Sequence, residues 1–110
     1  MERPVKGDVV VVPFPFSDLT RSKRRPALIA ATLPGDDLIL CQITSQERHA
    51  PDAVPLGPGD FASRGLDRPS FVRAARLFTA DRSLILYRVG SLRPEVMRAV
   101  TTRIVEVFTR

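Results

Sequence analysis

Gly7-Asp8-Val9-Val10-Val11-Val12-Pro13-Phe14-Pro15-Phe16 decides the architecture. Four consecutive β-branched residues suit a buried strand, and the prolines behind them end it. Gly7-Asp8 supplies the turn into that strand. Downstream, Pro26-Ala27-Leu28-Ile29-Ala30-Ala31 is a second apolar run with proline at its first position, where a strand tolerates it. The turn signal Pro34-Gly35-Asp36-Asp37 joins it to Leu38-Ile39-Leu40-Cys41-Gln42-Ile43, which predicts a hairpin. Between the first two strands, Ser17 to Arg25 is polar and charged without periodicity and reads as a loop. Thr44 to Pro51 reads as another.

The rest of the chain continues in short pieces. Ala53-Val54-Pro55-Leu56 is a strand that its proline confines to an edge, and Gly57-Pro58-Gly59-Asp60 breaks the chain again. Ser70 to Phe78 fits strand or helix by periodicity, and its turn-rich neighbours favour strand. Asp81-Arg82-Ser83 reads as a turn, Leu84 to Val89 as a brief strand, and Gly90 as the end of the β portion. From Pro94 the period changes. Val96, Val100, Ile104 and Val107/Phe108 recur every three to four residues, which predicts one amphipathic helix with that stripe in the core. Pro94 suits its first turn and Glu95 its positive end. Five or six short strands followed by one helix make a mainly β fold, a small, strongly bent barrel that removes exposed edges.

Composition narrows the class. A length of 110 residues predicts a single domain spanning 1–110. One Cys forms no internal disulfide, which points to a reducing, cytoplasmic setting. No apolar run approaches the roughly 18 residues of a membrane span. Met1 to Lys6 holds Glu2, Arg3 and Lys6 and no continuous apolar segment, so no signal peptide is expected. An apolar fraction of 44% excludes a disordered chain. The net charge is +5, and 15 of the 17 basic residues are Arg. Residues 1–55 balance seven bases against seven acids, so residues 56–110 carry the whole surplus. A basic surface rich in forked guanidinium groups implies a polyanionic partner, either nucleic acid or an acidic protein segment.

The chemistry allowed is narrow. No His/Cys spacing and no carboxylate cluster suggests a metal site, and no Gly-rich phosphate loop precedes a helix. One His excludes a two-imidazole acid–base pair. Cys41, in an apolar strand, reads as a buried structural thiol. What remains is Arg, hydroxyls and amides at strand ends. In the predicted hairpin, antiparallel geometry brings Arg25, before the second strand, and Thr44, after the third, to the same end of the sheet. An Arg beside a hydroxyl donor can hold a phosphate and stabilise charge developing on it.

These residues resemble a known family. Gly7 to Leu19, with Val9-Val10-Val11-Val12 and Pro13-Phe14-Pro15-Phe16-Ser17-Asp18-Leu19, followed by Lys23-Arg24-Arg25-Pro26-Ala27-Leu28, looks like the N-terminal signature of the MazF/PemK toxins. Ile43-Thr44-Ser45-Gln46 resembles the family's second motif. The turn at Asp81, the Gly90-Ser91-Leu92 step and the final helix fit more loosely, and residues 47–70 depart in length and Pro/Gly content. The resemblance implies an SH3-like barrel with a C-terminal helix. It also implies a homodimeric, metal-independent and cofactor-free endoribonuclease that cuts single-stranded RNA and is neutralised by a cognate antitoxin. By the same resemblance Arg25 and Thr44 match the catalytic Arg and Thr. Ser22, Lys23, Arg24, Ser45 and Gln46 are expected to contact RNA, with Ser17, Asp18 and Thr20 flanking it and His49 within reach of the Thr44 segment. Two rival readings share the barrel: a CcdB-like gyrase poison and a non-catalytic RNA- or protein-binding module. The first relies on a Trp-containing C-terminus, whereas this chain has no Trp and ends Phe108-Thr109-Arg110.

Overall fold

A computed structural model of the chain describes residues 3–15, 22–46 and 51–110. Strand β1 runs Asp8–Pro15, β2 Ser22–Thr32, β3 Asp37–Thr44, β4 Ala53–Leu56, β5 Phe61–Arg64, β6 Ser70–Asp81 and β7 Tyr87–Leu92. Helix α1, Pro94–Thr109, follows. All seven strands join one antiparallel sheet in the order β4-β6-β3-β2-β1-β7-β5. The sheet curls into a half-barrel whose free edges are the two four-residue strands, β4 and β5. Short edge strands offer little template for pairing with another chain.

The β-branched run makes β1 the spine of the sheet, because residues of this strand are buried on both faces. Val9 packs with Leu28, Cys41, Ile43 and Val72 on the side that α1 covers through Met97 and Val100. Val10 and Val12 turn to the other side, among Ala27, Ile29, Leu38, Leu40 and Ile85. Period two on a doubly covered strand gives an unbroken apolar run.

Four differences from the sequence reading have physical causes. First, β2 begins at Ser22, so Ser22 to Arg25 lie on a strand and not in a loop. The β1–β2 ladder carries on through Pro13↔Arg24, Phe14↔Lys23 and Pro15↔Ser22, and the charges hid that continuation. Pro26 is thus inside β2, at a place where pairing with β3 has not yet begun; that ladder starts at Ala27↔Gln42. A residue without an N–H is tolerated where a ladder ends. Second, Phe61–Arg64 forms β5, a strand absent from the sequence reading. Only Phe61 of its four residues is buried, so no alternation marks it. Third, Arg82–Leu84 is a 3-10 turn held by the Ser83 N–H donating to the Asp81 carboxylate at 2.9 Å. The strand after it starts at Tyr87, and Gly90 sits within it rather than at its end. Gly90 pairs with Arg64 so closely that an added Cβ would run into the Ser63 carbonyl oxygen. Fourth, Phe108 is off the helical stripe. Val100 is buried, Val96 and Ile104 pack against the core and Val107 is half-buried beside Pro51 and Asp52, but Phe108, a further 100° round the helix, is 73% exposed.

Other expectations hold. The hairpin β2–β3 turns at Pro34-Gly35, where Gly35 takes a φ of 84° that side-chain-bearing residues avoid. The proline-containing β4 is an edge, and the segment ambiguous between strand and helix is strand β6. Cys41 is fully buried.

Candidate active site

The site is built on the fork where β2 and β3 separate. Their register runs Ile29↔Leu40, Leu28↔Cys41, Ala27↔Gln42 and ends there, two residues short of Arg25 on one strand and of Thr44 on the other. Successive residues of a strand alternate between its faces. Arg25 and Thr44 therefore share the face of Ile29 and Leu40, at the end where that apolar lining stops. Both are half-buried. On the far side of β3, Thr44 pairs with Phe71 and Gln42 with Arg73, adding an aromatic ring and a second guanidinium to the same face.

Local bonding prepares Thr44 to act as a donor. The Gln46 backbone N–H donates to Thr44 Oγ1 at 3.2 Å, a short side-chain turn that caps the strand. With its oxygen engaged as an acceptor, the hydroxyl retains a proton to give to an external oxygen. Ser45 and Gln46 are exposed beyond the fork, and Lys23 and Arg24 are exposed on β2 next to Arg25. The backbone of Ser22 starts β2. The side chain of Ser22, together with Ser17, Asp18, Thr20 and His49, lies outside the described residues.

Arg73 lies near a carboxylate distant in sequence. Between Cys41↔Leu77 and Gln42↔Arg73, strand β6 bulges by three residues, Ala74 to Arg76. Asp52, itself buried, spans the bulge: its carbonyl oxygen accepts from the Ala74 N–H at 3.4 Å and its carboxylate from the Ala75 N–H at 2.9 Å. The same carboxylate lies 4.0 Å from Arg73 Nε. Sequence reading missed Phe71 and Arg73 because only the β3–β6 register shows that they flank Thr44. Burial, and then the charge of Asp52, push the Cys41 thiol up to about 12, so it stays protonated and inert near neutral pH. Among the described residues no three His, Cys, Asp or Glu side chains gather into a metal-ligand group.

This half-barrel is shared with solved bacterial toxins. An endoribonuclease from a mycobacterial species, solved with its cognate antitoxin, superposes with a TM-score of 0.74 at 21% identity, covering 96% of this chain and 95% of that one. A MazE–MazF complex from Deinococcus radiodurans gives 0.73 at 21% identity over 96% and 95%. The Mycobacterium tuberculosis toxin MazF-mt6 gives 0.67 at 21% identity over 90% and 95%. No curated protein matches the sequence. The family model for PemK-like, MazF-like toxins of type II toxin–antitoxin systems matches residues 5–108, and the chain belongs to that family.

Proposed function

We propose that the chain is an endoribonuclease toxin that cuts single-stranded RNA at the β2–β3 fork without a metal or cofactor. The placement of Arg25 and Thr44 on one face, at the open end of one ladder, carries this reading. The ribose 2′-oxygen attacks the adjacent phosphorus, forming the 2′-O–P bond as the P–O5′ bond breaks. The 2′-hydroxyl proton leaves to solvent or a base, and the departing 5′-oxygen gains a proton. The products are a 2′,3′-cyclic phosphate and a 5′-hydroxyl. Arg25 neutralises the charge gained by the phosphorane and delivers a proton to the leaving oxygen; a guanidinium has protons to donate and no acceptor, so it is not the base. Thr44 donates to a non-bridging phosphate oxygen. Ser22, Lys23, Arg24, Ser45 and Gln46 hold neighbouring phosphates, which sets register on the strand.

Similar structures solved with an antitoxin support a cognate antitoxin as the neutralising partner, and the net charge of +5 favours an acidic segment on it. We further assign it a homodimeric state and a cytoplasmic site of action. Among the described residues no helix is long and apolar enough to cross a membrane. The test is cleavage of unstructured RNA by purified protein in EDTA, with DNA of the same sequence as control. Cleavage that persists in EDTA, spares DNA and disappears in Arg25→Ala and Thr44→Ala proteins is the expected result. An intact, folded protein that cuts no RNA overturns the assignment.

A further inference from the structure

Helix α1 carries an apolar flank that the sheet covers only in part. Met97, Thr101, Val105 and Phe108 follow one another at intervals of four, four and three residues, so they lie along one side of the helix. Burial falls steadily along them. Met97 is buried, Thr101 half-buried, Val105 53% exposed and Phe108 73% exposed. Phe108 is the most exposed large apolar side chain among the described residues. The threonines nearby add little polarity. Thr101 Oγ1 donates to the Met97 carbonyl oxygen at 3.0 Å and Thr109 Oγ1 to that of Val105 at 2.9 Å, so both hydroxyls are satisfied within the helix.

The first half of the same flank is hollow. Leu92, Pro94, Met97 and Thr101, with Lys6 and Arg98, line a groove of about 530 Å³. The buried Leu92 and Met97 form its floor, and the exposed Lys6 and Arg98 stand at its rim. One helix thus carries an apolar knob and an apolar groove, and its own rise holds Phe108 about 16 Å from Met97. Within one chain the two do not meet. Across a two-fold axis they do. In an antiparallel pair of α1 helices with the axis midway between Met97 and Phe108, each ring reaches the groove of the other copy, and the contact is made twice. Charge agrees with this arrangement. The last turn of α1 holds no basic residue, so the negative end of its dipole faces Lys6 and Arg98 of the second copy. Arg98 there can also cover the face of the incoming ring.

We infer that the α1 flank of Met97, Thr101, Val105 and Phe108 is the docking surface for a second copy of this chain. Each copy seats its Phe108 in the groove between α1 and the Lys6–Gly7 turn of the other. The inference rests on the homodimeric state assigned above and supplies the surface and the register by which it forms.

The experiment is sedimentation velocity on the full chain at concentrations from about 1 to 100 µM, where a dimer of micromolar affinity or better is populated. Wild type should sediment as a dimer. Phe108→Lys sets a cation against Lys6 and Arg98 and should raise the dissociation constant about tenfold or more. Adding Arg98→Glu turns that repulsion into attraction and should bring the constant back towards the wild-type value. Tyr87→Lys, at a half-exposed ring on β7, should leave it unchanged. Phe108 makes few contacts within its own chain, so circular dichroism of Phe108→Lys should match wild type. A Phe108→Lys protein that stays dimeric overturns this surface and leaves the homodimeric state standing. Equal dissociation by Tyr87→Lys overturns it too. Dissociation by Phe108→Lys that Arg98→Glu does not reverse overturns the seating of the ring in the groove. A wild-type protein that is monomeric throughout overturns both the surface and the homodimer. None of these results decides the nuclease reading, which stands or falls on cleavage in EDTA.

Discussion

The β1–β2 and β3–β6 ladders are similar in length and opposite in character. The first pairs seven residues against seven without a break, from Val9↔Leu28 to Pro15↔Ser22. The second is interrupted by a three-residue bulge that a buried carboxylate from outside both strands must satisfy. A regular ladder is specified locally, by β-branched residues and a turn. A bulged one needs a third party, and here that is Asp52. Arg25 sits on the regular ladder and Arg73 beside the bulge, so the two strands that flank the fork are held by different kinds of support.

The comparison can be broken first at the regular ladder. Arg25→Ala should reduce RNA cleavage about a hundred- to a thousandfold, or 3–4 kcal/mol of transition-state stabilisation. Initial rates check it, on a preparation that circular dichroism shows to be folded. Gly90→Ala is the next largest effect. It drives a methyl group into the Ser63 carbonyl and should destabilise the fold by about 2–3 kcal/mol, read in urea denaturation.

Asp52→Ala sharpens the contrast directly. It orphans the Ala75 N–H and removes the carboxylate facing Arg73, at about 2 kcal/mol. Hydrogen exchange should then accelerate at Ala74 and Ala75 and leave β1–β2 amides protected. A β1–β2 ladder that opens equally would mean the two are not independent.

The smallest effect is alkaline. The folded thiol of Cys41 titrates near 12 against an ordinary 9.0. A raised pKa means its stabilisation is complete below pH 9 and is lost as pH climbs from 9 towards 12. The loss at pH 10 is about 1 kcal/mol and should vanish in Cys41→Ala when the two pH profiles are compared.

The contrast between the ladders also explains what sequence reading reached. β1, the interior of β2, and β3 are legible because Val9 to Val12 and the Pro34-Gly35 turn act over neighbouring residues. That Arg25 and Thr44 lie at the same end of the sheet follows from hairpin geometry, and the observed β2–β3 hairpin keeps them there. β5 was not: three of its four residues are exposed, and Gly90 on another strand fixes its place. Ser22 to Arg25 carry no apolar signal, and their strand character comes from Pro13, Phe14 and Pro15 opposite. Helical periodicity leaves Val107 and Phe108 as alternatives for the end of the stripe, and the half-buried Val107 takes that place. Phe71 and Arg73 come to the site through long-range register, which single-strand patterns do not contain.

Pro26 has a further consequence. Sheets extend by adding one bonded pair after another, and an imino acid one step before Ala27↔Gln42 works like the stop on a zipper. Above the stop, two chain ends diverge with a guanidinium on one and a hydroxyl on the other. The width of that opening is a property of the stop position, so moving the proline one residue onward, to position 27, would resize the jaws without altering either tooth.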